Sequence, residues 1–439
     1  MAAADGRAIP GQQNVPDGNE LARALRPWVG LAQVEGLSRL SGGASKETWS
    51  FDTVGDDGQR TGLILRRDAA GRPGEPGALD REAAAISLAY GAGLPVPEVL
   101  VCSGGGSFGT AGMVMRRVDG ETIARRILRD ERFAPARRVL VSQLGQFAAR
   151  LHALDVPAVL PEPDPVAVLR EQLDAFGRPS EVFQLALAEL ERDRPPARGP
   201  VLVHGDFRLG NLIVGPDGLR AVLDWELAHA GNPAEDLGWL CVKAWRFGAR
   251  PAVAGMGSRE DLLAAYLAAG GSDISLAELR WWEILGTLRW GVICLTQASA
   301  HLSGAHRSVE LAAIGRRVCE QEWDLLLLLQ PEAAARAAER RPRPTGAAAS
   351  APAPYGRPTA SELLEAVREY LLDSVMPATS GQVAFHGRVA ANALAIVARE
   401  LELGTFPANA VLADTGLADI VAARLAVANP KYFETSPPA

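Results

Sequence analysis

Lysine is almost missing from this chain. Only Lys46, Lys243 and Lys431 are lysine, and the other 42 of the 45 basic residues are arginine. An arginine standing where a related protein has lysine therefore reflects composition before function. Cysteine is scarce too: Cys102, Cys241, Cys294 and Cys319 lie far apart, with no C-x-x-C pair. That spacing fits neither a zinc site nor a disulfide framework, and it suits a reducing compartment. There is no excess of positive charge. The formal net charge of -7 argues against nucleic acid as a partner, because non-specific binding wants a basic face, yet it is too mild to require a cationic substrate. Long apolar runs are also absent. The richest, Leu325 to Leu329, falls far short of the ~20 residues that span a bilayer, and the first ten residues lack the apolar centre of a signal peptide. We expect a soluble, cytoplasmic protein with no membrane and no nucleic-acid partner.

What is present is an ordinary globular composition, 48% hydrophobic and 22% charged over 439 residues, enough for two to three domains. Residues 1–19 are polar and turn-rich and read as a disordered tail. From Leu21 the pattern is short strands, with Thr48 to Thr53 and Gly62 to Arg66 joined by the hairpin signal Gly55-Asp56-Asp57-Gly58. A helix over Asp80 to Tyr90 and two strands, Glu98 to Cys102 and Gly112 to Met115, complete this front part, 20–115. Residues 116–330 turn helical, with an apolar stripe along Val139 to Leu154 and a core-like Trp281 to Cys294 segment. The Ala/Pro/Arg stretch 331–358 reads as a linker that buries no core. Order resumes at the capping-box pattern Thr359-Ala360-Ser361-Glu362, and 359–439 reads as a small all-helical domain of three amphipathic helices. Its apolar stripes need a partner surface, in a homodimer, in another protein or within this chain.

The most informative stretch is His204-Gly205-Asp206-Phe207-Arg208-Leu209-Gly210-Asn211, followed thirteen residues later by Asp224 in Leu223-Asp224-Trp225-Glu226. Each follows an apolar, strand-like run. Phosphoryl transfer from a nucleotide needs a carboxylate for the proton of the attacking hydroxyl, and a carboxamide and a second carboxylate to hold magnesium on the phosphates. Asp206, Asn211 and Asp224 supply that set. Two exposed turns are the bland alternative for such residues; their order and spacing make it the minority reading.

The pattern H-G-D-x-x-x-x-N followed by D-x-[EDG] resembles the aminoglycoside phosphotransferase superfamily, over roughly Leu37 to Leu328. Leu65-Arg66-Arg67, Asp224-Trp225-Glu226 and Gly231 to Leu237 resemble more narrowly the kinase-like domains fused in front of some acyl-CoA dehydrogenases. The tail from Arg357 resembles a small helical domain of unknown role found after such kinases in bacteria. The resemblance implies an α+β, bilobal protein-kinase-like fold, with a small antiparallel β-rich N-lobe and a mainly helical C-lobe, plus the small all-α domain.

It also implies ATP and Mg2+ as cofactors and a small-molecule hydroxyl as acceptor. Asp206 takes the place of the catalytic base, and Asn211 and Asp224 those of the metal ligands. Ser41 to Lys46, with Gly42, Gly43 and Ser45, becomes the loop over the phosphates, while Lys46 itself reads as a solvated lysine. Arg66 stands at the position of the phosphate-binding lysine of protein kinases, with Glu82 as its helix partner; a surface Arg–Glu pair is the competing reading. Arginine keeps the charge and adds a planar fork. Val114 to Val118, including Met115 and Arg117, becomes the hinge for adenine. His204 and Asp236 are supporting residues that steady the loop, Glu226 is open between the metal shell and solvent, and His152 reads as a packed helix-end residue. The leading function is a small-molecule kinase, with a hydroxyacyl-CoA as the acceptor that the narrower resemblance suggests. An antibiotic phosphotransferase and a nucleotide-binding pseudokinase are the alternatives.

Overall fold

The computed structural model describes residues 15–30, 32–40, 46–56, 58–69, 74–104, 108–177, 180–342, 359–404 and 416–435. The expected phosphate loop residues Gly42, Gly43 and Ser45 lie outside them. The chain opens with a helix where strands were expected: α1 (Gly18–Val29) starts inside the expected tail, its N-terminus capped by Asp17. The side chain of Asp17 accepts hydrogen bonds from the Asn19 and Glu20 amides, which have no partner within the helix. Leu21 and Leu25, four apart, form its buried face.

Five antiparallel strands follow: β1 (Ala32–Arg39), β2 (Lys46–Gly55), β3 (Arg60–Asp68), and, beyond α2 (Ala78–Gly91), β4 (Val99–Ser103) and β5 (Gly112–Arg116). Their order in the sheet is β1-β2-β3-β5-β4. Alternation along β2 and β3 sends Trp49, Phe51, Leu63 and Leu65 to one face, where they pack on Leu21 and Leu25. The opposite face carries Thr48 beside Arg66 and Ser50 beside Ile64. Lys46 is not solvated as expected: its side chain is 8% exposed, with Nζ 3.5 Å from Asp68.

The rear part is mainly helical. α3 (Ala124–Arg129), α4 (Ala134–His152), α5 (Pro165–Ala175) and α6 (Glu181–Arg192) lead to β6 (Val201–Val203) and the hairpin β7 (Leu212–Gly215) and β8 (Gly218–Val222). β9 (His229–Gly231) pairs with β6. Then come α7 (Ala234–Cys241), a 3-10 turn at Lys243–Arg246, α8 (Arg259–Ala268), α9 (Leu276–Leu302), α10 (Val309–Gly315) and α11 (Val318–Leu329). Trp281, Trp282, Leu285 and Leu288 are buried along α9, as their helical spacing implies.

The expected linker begins instead with a helix, α12 (Pro331–Arg340), which buries Ala334 and Ala337 completely. Alanine is the strongest helix former and needs little room, so an alanine-rich stretch that looks coreless can still dock on larger neighbours. Residues 343–358 lie outside the described set. Beyond them are α13 (Ala360–Tyr370), with the expected capping box, α14 (Gly381–Leu403) and α15 (Leu417–Ala428). The last two helices differ. Val421, Ala422 and Leu425 of α15 join the same hydrophobic core as α7, α9 and α11, while Val383, Phe385, Val397 and Leu401 of α14 remain exposed.

Candidate active site

β6 delivers His204 and Gly205 into a sharp turn. Gly205 adopts φ 79°, and a Cβ there would collide with the Leu227 carbonyl, so both conformation and space call for glycine. Phe207 is fully buried and stacks on Phe147 of α4 at 5.3 Å, which fixes the loop to the core. A short 3-10 turn at Leu209–Asn211 then returns the chain. The Asn211 amide donates to the Asp206 carbonyl at 2.9 Å and to its carboxylate Oδ2 at 2.6 Å. Oδ1 of Asp206 accepts from the Trp239 indole at 2.7 Å and from Arg208 Nε at 2.9 Å.

Beneath this loop, His204 is fully buried. The Asp206 amide donates to its Nδ1 at 3.1 Å, so the ring hydrogen sits on Nε2 and is donated to the Leu223 carbonyl at 3.0 Å. One imidazole thus joins Asp206 to the residue before Asp224. Burial holds His204 below its ordinary pKa and keeps it neutral. Asp236, also fully buried, accepts from the amides of His204 at 2.8 Å and Gly205 at 3.0 Å. Burial pushes its carboxyl up, but the hydrogen bonds from His152 and from the His204 amide outweigh that and leave it below its usual range. His152, at the end of α4, contacts Asp236 at 3.3 Å and the Tyr266 hydroxyl at 2.9 Å.

The second loop leaves β8 and places Asp224 at φ 67°. Few residues other than glycine accept this left-handed conformation, aspartate among the more tolerant. Its carboxylate meets Arg66, which reaches over from β3. Arg66 contacts Asp224 at 2.6 Å, Glu226 at 2.9 Å and Glu82 of α2 at 2.6 Å. With Glu82 only 1% exposed, the Arg66–Glu82 pair is a buried interaction and not a surface one. Burial pushes the Glu82 carboxyl up to about 7, and the Arg66 charge only partly offsets it. Arg117 reaches Asp52 at 2.8 Å and Ser50 at 3.2 Å, residues on the same sheet face as Arg66. Met115, buried in β5, pairs with Ile64.

The cleft between the front sheet and the two loops thus gathers Arg66, Glu82, Asp206, Asn211, Asp224 and Glu226. Among the described residues no group of three His, Cys, Asp or Glu side chains is placed to hold a metal. The oxygen donors fit a different arrangement. Asn211 gives both amide hydrogens to Asp206, which leaves its side-chain carbonyl oxygen as the atom that could hold a cation. Magnesium is commonly held by one or two protein oxygens, the remaining ligands being waters and substrate phosphates.

The phosphotransferase enzyme family matches residues 36–282, more than half of the sequence. The chain belongs to this family. A domain of unknown function matches residues 377–416, from just before α14 to the threshold of α15. Acyl-CoA dehydrogenase family member 11 of Gallus gallus is 32% identical over 222 residues, 46% of this chain and 27% of that protein. Family member 10 of Mus musculus is 30% identical over 211 residues, 41% of this chain and 18% of that protein. The chain therefore spans about a quarter, or less, of the length of these curated relatives. A solved structure from Ralstonia eutropha, provisionally named an aminoglycoside phosphotransferase, superposes with a TM-score of 0.54 at 21% identity, covering 71% of this chain and 98% of that one. It shares the fold: an antiparallel β-sheet lobe followed by a mostly helical one.

Three side chains at the site escape a reading by motif. Trp239 and Arg208 grip Asp206, and His152 completes the bracket around Asp236. Trp239 carried a usable signal, since it stands three residues after Asp236 on α7 and so shares its face. His152 carried none, because its partner is 84 residues away.

Proposed function

We propose that the protein transfers the γ-phosphoryl group of ATP to a hydroxyl of a small molecule. What supports this most is one arrangement: Arg66 of the front sheet meets Asp224 across a cleft that also opens on the paired Asp206 and Asn211. Asp206 is the base that takes the hydroxyl proton, oriented by Trp239, Arg208 and Asn211 before any acceptor arrives. The acceptor oxygen forms the new P–O bond as the bond to the bridging oxygen of ADP breaks. Arg66, steadied by Glu82, receives phosphate oxygens as a planar fork. Asn211 and Asp224, with Glu226 nearby, would hold magnesium, which would supply neutralising charge to the phosphates. His204 and Asp236 hold the loop, and Met115 and Arg117 border the nucleotide.

The acceptor we favour is a hydroxyacyl thioester such as a hydroxyacyl-CoA, because the relatives that match part of this chain are named for acyl-CoA chemistry. Charge supports the choice. A polycationic antibiotic needs open carboxylates, yet Glu235 is paired with Arg289, Glu283 with Arg246 and Arg259, and Asp324 with Lys243. The test is ADP release with MgATP over hydroxyacyl-CoAs, aminoglycosides, macrolides and amino alcohols, with Asp206→Ala as control. We expect turnover with a hydroxyacyl-CoA and a loss of about 10²–10⁴-fold in Asp206→Ala, the usual worth of a general base. Nucleotide binding without turnover on any acceptor would replace this reading with a pseudokinase.

A further inference from the structure

The end of the described chain packs against the turn after α7, which itself borders the motif loop. After α15, the Asn429 side chain donates to Glu320 at 3.1 Å, and a 3-10 turn at Pro430–Thr435 follows. Phe433 packs edge-on against Trp323 at 5.2 Å and under Arg341. The Tyr432 hydroxyl donates to Asp324 Oδ2 at 2.6 Å, and the other oxygen of Asp324 receives Lys243 Nζ at 3.1 Å. Lys243 also sits 3.9 Å from the centre of the Tyr432 ring. Asp324 is 3% exposed, so each of its partners weighs more than at the surface.

Lys243 is the first residue of the 3-10 turn that carries Trp245. Trp245 packs on Trp239 at 5.3 Å and lies under the Arg208 guanidinium at 4.5 Å. Trp239 and Arg208 are the two groups that hold Asp206 Oδ1. A second route runs beside the first. Thr435 lies against Gly248, and the ring of the preceding residue, Phe247, approaches Gly210 within the motif loop. Phe247 itself adopts φ 48°, a conformation that costs energy in a bulky residue and persists only where surroundings enforce it.

We infer that Tyr432 is a positioning residue for Asp206: through Lys243 and Trp245, the C-terminal segment sets how the Asp206 carboxylate meets the acceptor hydroxyl. The helical tail then serves the phosphoryl-transfer site of its own chain. A tether that merely fastened the tail would need the Phe433 and Asn429 contacts but not a hydroxyl shared with the ion pair of the Trp245 turn. The kinetic part of this inference rests on the kinase reading above; the structural part does not.

The experiment uses the full chain with Tyr432→Phe, Tyr432→Ala and, as a control on the same turn, Glu434→Gln. Two quantities are read: kcat and KM for ATP and for a hydroxyacyl-CoA, and hydrogen exchange of segments 204–211, 243–248, 60–68, 112–116 and 276–302. We expect kcat to fall about tenfold in Tyr432→Ala and about threefold in Tyr432→Phe, with the KM for ATP unchanged, the pattern of a misplaced group and not of lost nucleotide binding. Exchange should quicken in 204–211 and 243–248 alone. Wild-type kcat and exchange in both tyrosine variants would overturn the inference. So would exchange that rises equally in 276–302, which would make Tyr432 a general anchor of the helical lobe. If no acceptor is phosphorylated by the wild-type chain, the kinase reading fails and the exchange pattern alone decides this one.

Discussion

The Asp206 carboxylate receives three hydrogen bonds from its own lobe, from Trp239, Arg208 and Asn211, and is 14% exposed. Asp224, one hairpin further on, is 33% exposed, and its carboxylate is held by an arginine from the opposite lobe. The first group rests on a buried bracket of His204, Asp236 and His152; the second rests on a left-handed backbone and charge across a cleft. Under the proposed function the contrast separates two demands. A base has to be aimed before substrate arrives, so rigid neighbours fix it. A group that serves a cation must exchange one positive partner for another, so it sits at the wetter rim.

The strongest way to break this comparison is Asp236→Ala. It strips the buried His204 and Gly205 amides of their acceptor and should cost about 3–5 kcal/mol of stability in urea unfolding, as removing one partner from a buried charged network does. Glu226→Ala, at the rim, should cost under about 1 kcal/mol. Equal losses would show that the Asp206 loop is not specially braced. Next in size, Trp239→Phe keeps the packing but removes the 2.7 Å hydrogen bond to Asp206. It should lower kcat about tenfold with the KM for ATP unchanged.

Acidity sharpens the same contrast. His204 is held neutral below its ordinary pKa, so its contribution to stability is full above pH 6.5. Below that the unfolded chain takes up a proton that the folded ring refuses, and stability falls until the folded ring also protonates. The loss sets in as pH falls through 6.5. Urea midpoints for wild type and His204→Gln should diverge as pH falls below 6.5; parallel curves would remove the neutral imidazole from the account. The smallest effect belongs to the rim. Arg66→Lys keeps a charge but loses the fork that joins Glu82 to Asp224, and should raise the KM for ATP about threefold with little change in kcat. A fall in kcat equal to that of Trp239→Phe would make the rim as preorganised as the base.

The motif loop was legible because its parts lie close in sequence. Asp206 and Asn211 are five residues apart on one loop, and their hydrogen bonds are local. The front hairpin, the long rear helices and the capping box at Thr359 were readable for the same reason. The helix at Gly18 was not, since Gly18, Pro27 and Trp28 dilute its pattern and its evidence is the packing of Leu21 and Leu25 on the sheet. Nor was α12, whose alanines signal flexibility until α11 and α15 give them a surface.

The sequence by itself determined the two loops and the family, because short spacing and local turns decide which oxygen atoms can share one site. Only the tertiary structure decided how those atoms are held. His152 and Asp236 are 84 residues apart and both buried, and burial is what pairs them: once water is excluded, each charged or polar group must meet a neighbour that satisfies it.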